Sequence, residues 1–183
     1  EADKASRRPF RMIDATGAAE VELADVPVGT ECLIGGEGEA IPLIQSALDR
    51  ATVMACGEAL GAIAHLIPAT AAYIKTREQY GAPLAKFQVL QHRMAEMFIA
   101  SETARSMALV AAMSLDGTPD PAQISSAKAQ IGRAARYVGS QAVQLHGGMG
   151  VSEELDIGHH YIRLNMIDRL FGDRDFHLSR YAD

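Results

Sequence analysis

The stretch REQYGAPLAKFQVLQHRMAEM, Arg77 to Met97, gathers ligand-holding residue types around two helix breakers. Gly81 and Pro83 alone would end one helix and begin another, so Arg77, Gln79 and Phe87 beside them point to a bound cofactor. In QAVQLHGGMGVSEEL a helical stretch stops at the pair Gly147 and Gly148. A helix C-cap accounts for one glycine and less readily for two. Other signals are weaker. LIGGEGEA places Gly35, Gly36 and Gly38 together, but no GK[ST] follows and no GxGxxG follows a strand, so the segment reads as a linker. His146, His159, His160 and His177 include no pair with helical spacing matched to a second ligand pair, and His159 and His160 point to different helix faces. No metal site is expected.

These residues need a scaffold, and the chain supplies mostly helix. At 183 residues with 48% apolar side chains it can bury a core of its own. AAEVELADVPV alternates apolar and polar residues as a strand does, with a turn at Pro27, and one strand or hairpin cannot bury its own apolar face. Residues 1–36 therefore read as the remnant of a β domain plus linker, and residues 37–183 as a helical domain. The first helix is expected from near Glu39 to Lys75, with Pro68 as a possible kink, and the second from near Pro83, with no further strand. In the second, Phe87, Leu90, Met94, Met97, Phe98 and Ile99 fall mostly on one face. SLDGTPDP, with Gly117, Pro119 and Pro121, links it to a third helix N-capped by Asp120. That helix carries Ile124, Ala127, Ile131, Ala134, Val138, Ala142 and Leu145 and stops at Gly147. A shorter helical tail from about Glu153 has Tyr161, Ile162, Met166, Ile167, Leu170 and Phe171 as its apolar set. The fold class is mainly α, an antiparallel four-helix-bundle-like domain with a short β segment at the N-terminus.

Composition narrows the partners. With 17 basic against 23 acidic residues the net charge is −6 and no basic stripe forms, which argues against nucleic acid. The most apolar run, VMACGEALGAIAHLIPATAAYI, is interrupted by Gly57, Glu58, Gly61, His65 and Pro68, and reads as a buried helix rather than a membrane span. Cys32 and Cys56 lack metal or redox spacing and fit a reducing compartment. EADKASRRPF shows no signal-like start, so the expected location is the cytoplasm of a bacterium, or the mitochondrial matrix in a eukaryote. The chain reads as part of a longer protein.

REQYGAPLAKFQVLQHRMAEM resembles the signature of the acyl-CoA dehydrogenase family: an Arg, a polar residue, an aromatic and a Gly, then Pro-Leu and Phe-Gln. QAVQLHGGMGVSEEL is similar to that family's QxxGGxG element, ELADVPVGTECLIGGEGEA to the last strands of its middle domain, and ALDRATVMACGEALG to the first helix of its C-terminal domain. The resemblance covers nearly the whole chain in the family's order. It implies FAD as cofactor. Arg77 would meet the pyrophosphate with a planar fork that Lys cannot match, and Gln79 would offer its amide to phosphate or ribose. Tyr80, Leu84, Phe87 and Leu90 would wall the nucleotide, while Gln144 and the bare backbone of Gly147 and Gly148 would approach the cofactor. The family's flavin ring sits mostly in a neighbouring subunit, which implies a dimer, a homotetramer or a heterotetramer. An acyl-CoA substrate and electron-transfer flavoprotein or a similar acceptor follow.

The implied reaction is α,β-dehydrogenation of an acyl-CoA thioester, in which a carboxylate removes the α-proton while the β-hydrogen leaves as hydride to flavin N5. The sequence departs from the family here. With Arg163 and Ile167 set in the family register, Gly172 stands where the catalytic Glu belongs. Asp173 is next, but one helical step turns a side chain by roughly 100°. A second family position, on the first helix of this domain, corresponds to Asp49, one methylene shorter than Glu, with Arg50 beside it as a substrate contact or ion-pair partner. Asp49 as base, Asp173 as base, and no base at all are the three expectations. The last has a precedent in heteromeric members whose base-less subunit serves its partner; an interaction module that has lost FAD is a further alternative. The FGDRDFHL ending resembles bacterial members that act on bulky acyl groups such as steroid side chains or dicarboxylic acids.

Overall fold

The computed structural model describes residues 4–116 and 119–182, and Gly117 of the expected linker lies outside them. The chain divides into two compact units, one ending at Gln45 and one beginning at Ser46. In the first, β1 (Ala5–Arg11) and β2 (Gly17–Leu23) pair antiparallel, from Ala5 opposite Leu23 to Arg11 opposite Gly17. The expected strand is β2. Its partner β1 escaped the sequence reading because Pro9 lies within it, a residue sheets tolerate only on an edge, and a two-stranded ribbon is all edge. Arg8 and Glu20 face each other as an ion pair. Phe10, Val21 and Leu23 all remain exposed, as a lone hairpin requires.

The second unit is the helical bundle. Its helices are α1 (Ala40–Thr76, beginning within the first unit), α2 (Gln88–Met113), α3 (Pro121–His146), α4 (Asp156–Arg169) and α5 (Arg174–Ala182). Cross-helix pairs fix the directions. Arg93 and Glu96 of α2 meet Gln141 and Tyr137 of α3, so these two run antiparallel. Glu58 and His65 of α1 meet Arg163 and Asp156 of α4, again with numbers running oppositely.

Helix α3 is the axis. All seven of its expected core residues are buried, between 0% and 6% exposed. Its small residues let α4 come close: a Cβ added at Gly132 would lie 1.9 Å from Asp168 Oδ1, and one at Gly139 would lie 2.9 Å from the Tyr161 ring. Asp120 caps α3 as expected, its Oδ1 accepting from the amides of Ala122 (3.0 Å) and Gln123 (3.3 Å). In α2, only Met97 of the expected set is fully buried, whereas Phe98 and Ile99 are exposed. The tail is two helices and not one, because Phe171 (φ 60°) and Gly172 (φ 106°) turn the backbone left-handed between them. Helix α1 is long and apolar enough to cross a membrane by length and composition alone. A core helix passes the same test, and here Cys56, Ala59, Ile63 and Leu66 are packed in the bundle.

Candidate functional site

The bend between α1 and α2 is a miniature hairpin, which corrects the expectation of no further strand. β3 (Glu78–Gln79) pairs with β4 (Ala82–Pro83) around the two-residue loop Tyr80–Gly81. Both loop residues have positive φ, 55° and 78°, the backbone of a type I′ turn. A 3-10 turn over Leu84–Lys86 follows, so α2 begins at Gln88 rather than at Pro83. Pro83 is engaged in the ladder opposite Glu78 and is not available to open a helix. The hairpin is anchored where the Leu84 amide donates to the Arg77 carbonyl at 2.8 Å.

This local fold lifts polar groups outward. Arg77, Gln79 and Tyr80 are exposed, Tyr80 to 93%. The Arg77 and Gln79 side chains make no hydrogen bond or ion pair among the described residues, so their donors are open to a ligand. Tyr80 meets the half-buried Phe87 edge-on, with ring centroids 6.2 Å apart. Leu84 and Leu90 are half-buried and pack against the bundle core, so they support this surface more than they wall it.

The second glycine-bearing segment reaches the same end of the bundle. Tyr73, four residues before Arg77, donates its hydroxyl to the His146 carbonyl at 3.3 Å and stacks on the His146 ring at 4.3 Å. The His146 ring is 5% exposed, and its Nδ1 lies 2.8 Å from the Ala142 carbonyl, which accepts its hydrogen. Immediately after His146, Gly147 adopts φ 60°, ψ −139°, a backbone region essentially closed to residues with a Cβ. Nothing lies within 4 Å of a Cβ built on Gly147 or Gly148. These glycines therefore leave open space above an exposed backbone, and Gln144 is exposed beside them. An exposed guanidinium and amide in the hairpin, and an exposed amide beside a side-chain-free stretch, thus lie on segments that meet at one end of the bundle, donor types that suit the phosphates and ribose of a dinucleotide such as FAD.

The carboxylates are arranged differently. Asp49 is 3% exposed, and both its oxygens are gripped by Arg180 of α5, with Nη1–Oδ1 at 2.6 Å and Nη2–Oδ2 at 3.0 Å. Such a bidentate fork holds the carboxylate as a structural anion between α1 and α5. Arg50, its neighbour, is exposed. Asp173 caps α5, its Oδ1 accepting from the Phe176 amide at 3.0 Å. That bond, with one from the Asp175 amide and the charges of Lys128 and Arg169, holds the Asp173 carboxyl below the usual aspartate range. It opens onto a groove of about 500 Å³ lined also by Arg136, Arg169 and Arg174. A lowered pKa makes a carboxylate a weaker base. Gly172 offers no side chain, and a Cβ there would lie 2.3 Å from the Phe176 ring.

A buried network that the sequence did not reveal braces this turn. Lys128 of α3 is 2% exposed and donates to the carbonyls of Asp168 and Gly172, both at 2.8 Å. Burial lowers its pKa, an effect offset in part by the carboxylates of Asp168 and Asp173. His177, fully buried, pairs with the Phe171 carbonyl at 3.1 Å and Ser125 Oγ at 3.3 Å. Burial, with Lys128 adding repulsion, pushes its pKa down to about 4. Burial raises the Cys56 thiol to about 11, so it stays protonated. The pattern that placed Lys128 mid-helix gave no sign of its partners, which lie 40 and 44 residues away.

One cluster of potential metal ligands lies between α1 and α4. Nε2 of His65 lies 2.7 Å from Asp156 Oδ2, and His160 Nε2 lies 3.8 Å from the same oxygen. These three ligand atoms all fall within 4.8 Å of one another. Spacing could not reveal the group, because His65 stands 91 residues from Asp156.

Residues 38–183 match the family model described as "Acyl-CoA dehydrogenase, C-terminal domain". The short-chain-specific acyl-CoA dehydrogenase of Clostridium acetobutylicum is 34% identical over 146 residues, 79% of this chain and 38% of that protein. The solved butyryl-CoA dehydrogenase of Megasphaera elsdenii superposes with a TM-score of 0.91 at 27% identity, over 98% of this chain and 48% of that one. A structure described as the Tcur3481-Tcur3483 steroid ACAD G363A variant gives 0.85 at 27% identity, over the same shares of the two chains. This chain spans less than half the length of each of these relatives. By the match of its helical unit and the agreement of fold across nearly its whole length, the chain belongs to the acyl-CoA dehydrogenase family, as that family's C-terminal helical domain.

Proposed function

We propose that the protein catalyses FAD-dependent α,β-dehydrogenation of an acyl-CoA thioester, and that this chain holds the adenosine-diphosphate half of FAD and contributes to the oligomer. The observation that carries this reading is the Tyr73–His146 contact, which brings the Arg77 hairpin and the Gly147–Gly148 turn to one end of the bundle. Arg77 would fork two phosphate oxygens, Gln79 and Gln144 would donate to phosphate or ribose, and the glycine backbone would admit the cofactor without steric conflict. When bound, FAD supplies the hydride acceptor for the β-carbon. Within the chain, Lys128 and His177 hold the carbonyls of the turn from Phe171 to Gly172 in place. Electron-transfer flavoprotein or a similar carrier would then reoxidise the protein.

The geometry around the carboxylates favours a second reading of the same reaction, in which this chain belongs to the base-less subunit of a heteromer. Asp49 has both oxygens committed to Arg180, Asp173 is held as a helix cap, and position 172 is glycine. The α-proton would then be taken by a carboxylate of a partner subunit. The relative described as a steroid ACAD supports a bulky acyl group, while the short-chain relative supports a small one.

The test uses the full-length protein. It should purify yellow, and Arg77→Ala should lower the flavin-to-protein ratio several-fold; unchanged flavin occupancy would overturn the cofactor assignment. Bleaching of the flavin by butyryl-CoA or by a steroid side-chain CoA ester then reports activity. If the homomeric protein bleaches at enzymatic rates, and Asp173→Asn or Asp49→Asn abolishes this without loss of fold, the base lies in this chain and the second reading fails.

A further inference from the structure

We propose that His65, Asp156 and His160 form a surface site for a divalent transition-metal ion, of the zinc, nickel or copper class, that staples α1 to α4. Two imidazoles and one carboxylate are the ligand types these ions prefer, whereas calcium and magnesium ask for oxygen alone. In a tetrahedral site with bonds of about 2.0–2.1 Å, ligand atoms stand roughly 3.3 Å apart. The two Nε2–Oδ2 separations, 2.7 and 3.8 Å, bracket that value, and all three ligand atoms lie within 4.8 Å. Small side-chain rotations are enough to close the set on an ion.

The backbone already holds the ligands in place. Asp156 and His160 are one helical turn apart on α4 and face the same way. His65 comes from α1, and the register of the two helices is set by the fork from Arg163 to Glu58, with N–O distances of 2.6 and 2.9 Å. Residues 58 and 65 are two turns apart on α1, as 156 and 163 are on α4, so this ion pair and the ligand group are successive rungs between antiparallel helices. The His65 and His160 rings lie side by side, centroids 4.6 Å apart and tilted by 40°, each presenting its Nε2 towards Asp156. Their side chains are 47% and 34% exposed and that of Asp156 is 56%, so an ion can enter from solvent and keep a water as its fourth ligand. Helical spacing brings His160 to Asp156 and the packing of α1 on α4 brings His65 there, so both rings approach one carboxylate oxygen as ligands of a common ion would.

The ligating imidazoles must be neutral, so protons compete with the metal and binding weakens as pH falls. The experiment is calorimetric titration of chelator-stripped full-length protein with Zn²⁺, with the Co²⁺ absorption spectrum as a coordination readout. One ion per chain is expected, at micromolar affinity or tighter, raising the unfolding temperature, with no response to Mg²⁺. His160→Ala and Asp156→Asn should each weaken binding at least tenfold, with circular dichroism showing an unchanged fold, while His159→Ala, at the exposed neighbouring position, should leave it unaltered. Absence of saturable Zn²⁺ binding, or binding that survives His160→Ala and Asp156→Asn, would overturn the proposal.

Discussion

Exchange of Asp49 for Asn separates a structural carboxylate from a catalytic base. Asp49 is 3% exposed and Arg180 is 19% exposed at its side chain, so the pair is largely desolvated and joined by two charge-assisted bonds. Asn keeps the shape but removes the charge, leaving the guanidinium buried beside a weak acceptor. Removing one partner of a buried pair costs about 3–5 kcal/mol, and the residual exposure of Arg180 places this case near 3. For a domain of this size unfolding as its own unit that corresponds to a fall of roughly 6–12 °C in unfolding temperature, and to proportionately less where the longer protein unfolds as one unit. Arg180→Gln should cost a similar amount, and the double variant should lose clearly less than the sum of the two, because each single change already removes the shared interaction. The assay is thermal unfolding of the full-length protein by circular dichroism, run in parallel with flavin bleaching by acyl-CoA. If Asp49→Asn unfolds at the wild-type temperature yet loses turnover by orders of magnitude, while Arg180→Gln keeps its rate, then Asp49 is the base and the reasoning from its ion pair is refuted.

Three other outcomes are expected. Gly132→Ala should destabilise the protein by about 1–3 kcal/mol through overpacking, since its Cβ would sit 1.9 Å from Asp168 Oδ1 against α4, and denaturant titration reads this directly. His177 has a folded pKa of about 4 against 6.5, so the unfolded chain binds more protons between these values. The stability it contributes is complete above pH 6.5 and is lost as pH falls towards 4, by about 2–3 kcal/mol, and urea midpoints of His177→Gln should vary less across that window. Gly147→Ala should lower flavin retention, measured as the flavin-to-protein ratio, because φ 60°, ψ −139° excludes a Cβ and the turn must rebuild.

Local chemistry made much of this protein legible. The seven expected core positions of α3 and its Asp120 cap follow from periodicity and capping, which act between residues a few steps apart. The pairing of Arg77 and Gln79 with a breaker was visible for the same reason, whereas Gln144 with its two glycines stood out through the family resemblance. What local chemistry could not show was the state of each carboxylate. Whether Asp49 is a base or an anchor depends on Arg180, 131 residues away, and the turn around Gly172 is held by Lys128 from another helix. Likewise His65 meets Asp156 only because α1 and α4 run antiparallel in one register. The amino-acid order by itself settled which residues are apolar, which cap and which break. Only the folded chain decided which charges are neutralised, because Coulomb and hydrogen-bond energies act over a few ångströms of space and are indifferent to distance along the chain.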